Sequence, residues 1–222
     1  MMDRNLGAWS ANPDDGYRTF GFYYQRGRKD PFPIANSEIQ KVYDIDGNEI
    51  DVFNVGLTNM IIVKEQAAIA DGVKYPYKLF EPKSSNWCGV DKDFDKGWLN
   101  RYDSSYTEKS IFDPCPPGWM LPPPEAYAID QDGTFGPKSS GKINKNNLGI
   151  DFNFYQDSPQ TIWFPINNIR GTGSQTGYYW TAPTNATNGS CVFNFADPTV
   201  GGSFTANVNV AGVRCISDPS YK

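Results

Sequence analysis

One proline-rich stretch constrains this chain more than any other: FDPCPPGWMLPPPEAY, residues 112–127. Each proline fixes its own φ at about −65° and restricts the residue before it. The Pro-Pro-Gly-Trp turn that follows Cys115 therefore holds the backbone around a single cysteine. A cysteine held in this way is suited to three roles: a reactive thiol, a metal ligand or half of a disulfide.

The histidine and cysteine content narrows the role of that thiol. The chain has no histidine, which excludes Ser-His-Asp and Cys-His catalysis and every histidine-based zinc site. Its four cysteines, Cys88, Cys115, Cys191 and Cys215, include no CxxC pair, so a zinc ribbon or a thioredoxin-type site is disfavoured. Cysteines this far apart fit one or two disulfides in an oxidising compartment, in any of three connectivities. Buried thiols are the alternative.

Charge and hydropathy bound the possible partners. A net charge of −5 and a pI near 4.8 argue against nucleic acid and against an anionic membrane surface. No apolar run approaches the roughly 20 residues of a membrane-spanning helix. The first two methionines lead directly into the polar DRNLGAW, where a signal peptide would be apolar. We therefore expect either a cytosolic protein or a mature piece of a longer exported one.

The fold class follows from composition and periodicity. An aromatic content of 15%, with 21 glycines and 17 prolines, predicts a turn-rich β or α+β protein. Alternating apolar residues predict strands in SCVFNFAD and FTANVNVAGVRCIS, whereas PPPEAYAI and KEQAAIADG, the latter closed by Gly72, are the best helix signals. The chain shows neither an internal repeat nor a clear linker, so we expect one domain over residues 1–222.

Three acidic segments resemble metal-binding loops. In DKDFDKG, residues 91–97, the glycine comes one position too late for an EF-hand, and Tyr102 occupies the place of its last carboxylate. This excludes an EF-hand and leaves a looser calcium site open beside a solvated acidic turn. In YDIDGNEID, Asp46-Gly47 predicts a hairpin turn rather than a metal site, and IDQDGTFG is similar. No metal ligand and no cofactor is therefore assigned.

Several segments together resemble one family along the whole chain. DRNLGA, GFYYQRGRKDPFP, DPCPPGW followed by Leu-Pro and a short helix, GYYWTAP and the terminal GVRCISD match, in this order, the Fibrobacter succinogenes major paralogous domain. That family occurs in surface proteins of Bacteroidetes, often at the end of lipoproteins or pilus-tip subunits. The resemblance thus implies an extracellular location, anchored to the cell surface through a longer parent protein.

The family has a C-type-lectin-like fold, and the resemblance carries structural expectations with it. It implies an α+β domain of small antiparallel sheets, one or two short helices and long irregular loops. It places DRNLGA beside the closing GVRCIS strand and implies a disulfide between Cys115 and Cys215. Cys191 stands where the family has an aromatic or apolar residue, so the partner of Cys88 stays open. The acidic triplets with which true C-type lectins bind calcium and sugar are absent.

The resemblance and the residues favour a non-enzymatic recognition domain of an adhesin. Its partner would be a host or bacterial surface glycan or protein, with other pilus or surface subunits as further partners. Amides and aromatics on a rigid scaffold suit such binding. The candidate ligand-binding residues are Tyr178, Asn185, Asn188, Phe204, Asn207 and Asn209. Some proteins of this fold are diversified near the C-terminus by retroelements. The alternatives are a structural cap or spacer of a surface fibre and an enzyme with a deep pocket of titratable groups.

Overall fold

The computed structural model describes residues 1–32, 34–35, 38–39, 42–44, 46–50, 61–83, 86–88, 99–103, 106–127, 138–139, 148–153, 159–167, 176–185, 189–196, 199–205 and 209–221. Within these ranges the chain is a mixed α+β protein of mostly small sheets with few helices. This agrees with the fold class expected from the composition. None of the helices in the described ranges is long and apolar enough to cross a membrane.

The strands are short except near the C-terminus. In chain order they are β1 (Tyr23–Gln25), β2 (Pro31–Phe32), β3 (Ile34–Ala35), β4 (Glu38–Ile39), β5 (Val42–Tyr43), β6 (Glu49–Ile50), β7 (Ile61–Val63), β8 (Lys78–Phe80), β9 (Leu99–Asp103), β10 (Tyr106–Lys109), β11 (Trp119–Met120), β12 (Lys138–Ser139), β13 (Gly149–Asn153), β14 (Ile162–Pro165), β15 (Thr176–Asn185), β16 (Gly189–Ala196), β17 (Thr199–Thr205), β18 (Val210–Gly212) and β19 (Ile216–Ser217).

Helical structure is confined to short segments within the described residues. Helix α1 covers Ile69–Lys74, and 3-10 helices cover Pro13–Thr19 and Pro124–Tyr127. The second 3-10 helix confirms the helix signal of the proline-rich stretch. For α1 the expected end is wrong, because Gly72 lies inside the helix. A Cβ at Gly72 would lie 3.0 Å from the Trp87 ring, so this glycine lets the helix approach the indole closely.

A six-stranded sheet organises the molecule. Its strand order is β17-β16-β15-β18-β1-β2, antiparallel except where β18 runs parallel to β15 with Gly212 opposite Tyr179. The three long strands at one side, β15, β16 and β17, form two successive hairpins of adjacent chain segments. Smaller sheets, such as β12-β13-β14 and β11-β19, accompany it.

Among the described residues, both faces of this sheet carry buried side chains. On one face Trp180, Val192 and Val213 pack with the cysteines of the proline-rich stretch and the C-terminus. On the other face an aromatic cluster contacts the sheet; its members are Tyr127, Phe152, Phe164, Tyr179, Phe193 and Phe195. The alternation of Val192 with Phe193 therefore separates two cores rather than a core from solvent.

The two ends of the chain meet, as the resemblance implies. The backbone N–H of Met2 donates to the carbonyl of Cys215 at 2.8 Å, and that of Leu6 to the carbonyl of Val213 at 2.8 Å. DRNLGA thus lies against the closing GVRCIS segment. In addition, β19 pairs with β11, which places Trp119 opposite Ser217.

Candidate functional site

The proline-rich stretch is a scaffold anchor. Cys115 and Cys215 form a disulfide, which confirms the pairing implied by the resemblance. Both cysteines are buried in the core under the sheet. Cys88, by contrast, is a buried thiol packed near Phe80 and Trp87 rather than half of a disulfide. The side chain of Cys191 lies outside the described residues.

Hydrogen bonds to charged groups complete this anchor. The Asp113 carboxylate accepts from the backbone N–H of Cys115 at 2.8 Å and from that of Leu121 at 3.0 Å. The Lys109 ammonium donates to the carbonyl oxygens of Cys115, Pro116 and Trp119. Every one of these bonds fixes the loop itself. Asp113 and Lys109 are therefore structural groups of the loop rather than groups placed to meet a ligand.

Asp113 makes stability depend on pH. Burial raises the pKa of its carboxyl from 3.8 to about 6, although its two backbone hydrogen bonds and Lys109 act in the opposite direction. Because the folded pKa lies above the unfolded one, the folded state holds the proton more tightly. This contribution to stability is present below pH 4 and is lost as the pH rises from about 4 to about 6, by roughly 3 kcal/mol.

The variant Asp113→Asn isolates this dependence, since an amide does not titrate. We expect the unfolding free energy of the wild type, measured by urea denaturation, to fall relative to that of the variant between pH 4 and pH 7. The variant loses one hydrogen-bond acceptor and is less stable overall. The readout is therefore the difference between the two proteins in how steeply the unfolding free energy changes with pH. Parallel pH profiles for the two proteins would show that Asp113 does not titrate in this range.

A second buried network joins the two ends of the chain. Arg214 donates from Nε and Nη2 to Asn5 Oδ1 at 3.0 and 2.8 Å, and from Nη1 to the Trp163 carbonyl at 2.7 Å. The Asn5 amide in turn donates to the Phe20 carbonyl at 2.9 Å and to the Tyr179 hydroxyl at 3.1 Å. The guanidinium of Arg214 therefore hydrogen-bonds to other buried parts of the scaffold. Burial lowers its pKa, opposed by the nearby Tyr179 and Tyr127.

The predicted recognition residues fall in separate places. Tyr178 is half-buried and lies opposite Asn194, whereas Asn185 lies opposite Gly189 at the end of the β15–β16 hairpin. The two positions are seven residues apart on β15, or roughly 20 Å at about 3.3 Å per residue. Phe204 on β17 lies opposite Cys191. Phe204 and Asn185 therefore lie toward the same end of the sheet, away from Tyr178.

Of the other three candidates, the structure describes only Asn209. Asn188 and Asn207 lie outside the described residues. Asn209 immediately precedes β18 and is half-buried, although the expected alternation would leave it exposed. Its neighbour Val210 is buried, as that alternation predicts.

The structure describes the arginines of GFYYQRGRKDPFP and part of the acidic segment YDIDGNEID. Arg26 and Arg28 are buried, and Arg26 donates to the carbonyls of Thr181 and Ala182 at 2.8 and 2.6 Å, so neither guanidinium is exposed to solvent. Asp44 accepts from the backbone N–H of Asn48 at 2.8 Å in the turn between β5 and β6. This confirms the hairpin.

Metal-ligating side chains are scattered in the part of the chain that the structure describes. No group of three metal-ligating side chains occurs there. DKDFDKG and IDQDGTFG lie outside the described residues.

One feature has no counterpart among the sequence motifs. A cavity of about 360 Å³ opens beside the Gly27–Asp30 turn between β1 and β2. Its walls come from that turn, from α1, from Trp87 and from the Ile111–Phe112 segment. Four segments this far apart in sequence leave no local pattern that predicts the cavity.

Comparison with protein-family models, with curated proteins and with solved structures finds no match to this chain.

Proposed function

We propose that this chain is a non-enzymatic recognition domain of a bacterial cell-surface or pilus-tip adhesin with a C-type-lectin-like fold. It binds a surface glycan or protein through its C-terminal loops and strand face. It works outside the cell, anchored through a longer parent protein. The ordered set of motifs shared with the Fibrobacter succinogenes major paralogous domain supports the family and its setting.

The observation that carries the proposal is the form of the β15–β16–β17 hairpins. β15 is buried from Tyr179 to Ala182 and continues to Asn185 before the chain turns into β16. The buried part is held between two cores, so the end of the hairpin is presented on a rigid support. Binding residues on loops and strand ends that a rigid scaffold positions are a common arrangement.

The two buried charged networks also favour recognition over catalysis. The charged groups of Asp113, Lys109 and Arg214 are each engaged with backbone or amide partners of the scaffold. A catalytic site instead needs titratable groups that converge on a space for substrate.

The test is a screen of the intact chain on glycan and surface-protein arrays. We expect saturable binding that is lost in Asn185→Ala/Asn188→Ala and in Asn207→Ala/Asn209→Ala. Gln160→Ala, which removes an exposed amide before β14, is the matched control and keeps the binding. If the wild type binds nothing, the chain is instead the cap or spacer of a surface fibre. If all three variants keep the binding, the assigned surface at the C-terminal loops is wrong.

Genome sequence tests the proposal that a retroelement diversifies this region. It predicts a near-duplicate of the segment encoding residues 170–215 beside a reverse-transcriptase gene.

A further inference from the structure

The cavity beside the Gly27–Asp30 turn is a preformed space with apolar walls. Its lining includes the apolar side chains of Ile69, Val73, Ile111 and Phe112 and the buried ring of Trp87. Val73 and Ile111 are 65% and 75% exposed although both are large and apolar, which places them at the mouth. A volume of about 360 Å³ matches a small-molecule site, since such pockets run from roughly 300 to 1,000 Å³.

Buried hydrogen bonds hold the walls in place. The Trp87 indole N–H donates to the Arg26 carbonyl at 2.8 Å, and its ring stacks on Phe80 with centroids 5.5 Å apart. The Arg28 guanidinium donates to the carbonyls of Gly72 and Tyr75, each at 3.2 Å, and so ties α1 to the turn. A ligand therefore meets walls that are already ordered, which limits the entropic cost of binding.

The charges at the cavity favour an anion. Arg28 and Asp30 form an ion pair at 2.7 Å and neutralise each other. Lys29, also in the lining, is exposed and makes no ion pair with any residue in the described ranges. Among the described residues, the wall thus carries one positive charge without an ion-pair partner, next to apolar surface.

We propose that this cavity binds a small amphipathic anion, with an aromatic or branched aliphatic body between Val73, Ile111 and Phe112 and a carboxylate or sulfonate at Lys29. Transfer of the apolar body from water supplies the affinity, and the ammonium selects the anion. The described lining of this cavity includes none of the recognition candidates near the C-terminus. The site is therefore additional to the proposed adhesive surface and does not depend on it.

The experiment is a fluorescence titration of the whole chain with 8-anilinonaphthalene-1-sulfonate, whose emission rises in apolar surroundings. We expect one saturable site in the wild type. Val73→Asp abolishes it, and Lys29→Glu raises the Kd by roughly tenfold because it reverses the charge beside the sulfonate. Ile61→Asp is the matched control: Ile61 is 52% exposed on β7, lies outside the cavity and leaves the titration unchanged.

A neutral probe separates the apolar part of the proposal from the ionic part. N-phenyl-1-naphthylamine lacks the sulfonate, so it binds more weakly than the anionic probe and does not respond to Lys29→Glu. Cooperative thermal melts of each variant, followed by near-ultraviolet circular dichroism, show that the probes report on folded protein. Equal binding by Val73→Asp and Ile61→Asp, or no saturable binding by the wild type, overturns the site. Equal affinity for the two probes overturns the anion preference.

Discussion

Loss of the disulfide between Cys115 and Cys215 is expected to lower the free energy of unfolding by about 4–5 kcal/mol. The bridge spans a sequence separation of 100 residues, so reduction releases a large loop in the unfolded chain. Both sulfurs also lie in the core that covers one face of the central sheet. For a chain of 222 residues the melting temperature should fall by roughly 10–20 °C.

The measurement compares urea unfolding of the wild type with and without reductant, and of Cys115→Ala/Cys215→Ala under both conditions. Reductant should destabilise the wild type but not the double variant, because the double variant has no bridge to lose. Cys88→Ala is the control for the loss of a buried sulfur, and it keeps its response to reductant. A wild type that unfolds at the same urea concentration when its thiols are shown to be reduced would contradict the assigned role.

The strand pattern of the C-terminal third was predictable because alternation records which residues share a face. Val210 and the pair Phe193 and Phe195 are buried as expected. The alternation could not show that both faces are covered. The layer over Phe193 includes Phe152 and Phe164, which belong to β13 and β14, and their approach depends on tertiary packing.

In helix α1, the local rule that a glycine ends a helix does not hold. Glycine usually ends a helix, and on that basis KEQAAIADG was expected to stop at Gly72. The helix instead continues to Lys74, and Gly72 inside it packs closely against Trp87, a residue 15 positions further along the chain. Nothing in the local sequence specifies that contact.

The candidate sites also depend on tertiary structure that the local sequence does not specify. Amide and aromatic residues near the C-terminus could be picked out by type, but strand register decides which of them lie together. The register of β15, β16 and β17 places Asn185 and Phe204 toward one end and Tyr178 about 20 Å away. The cavity at Lys29 was not predictable, since its walls meet only in the folded chain.

Replacement of Arg214 by methionine is expected to destabilise the fold by roughly 3–5 kcal/mol. The guanidinium is buried, lies 3.9 Å over the Phe164 ring and joins Asn5 of the first segment to the carbonyl of Trp163. Methionine keeps much of the apolar stem but leaves Asn5 Oδ1 and the Trp163 carbonyl without this donor. Each buried acceptor left unpaired costs about 1–3 kcal/mol.

Urea unfolding of Arg214→Met, Asn5→Ala and the double variant measures the coupling. Because Arg214 and Asn5 share two hydrogen bonds, the double variant should lose less than the sum of the single losses. Lys64→Met removes a charge from an ion pair whose lysine side chain is 70% exposed, and we expect it to change stability by no more than about 1 kcal/mol. If Arg214→Met were as stable as Lys64→Met, the two ends of the chain would not be held together by this arginine.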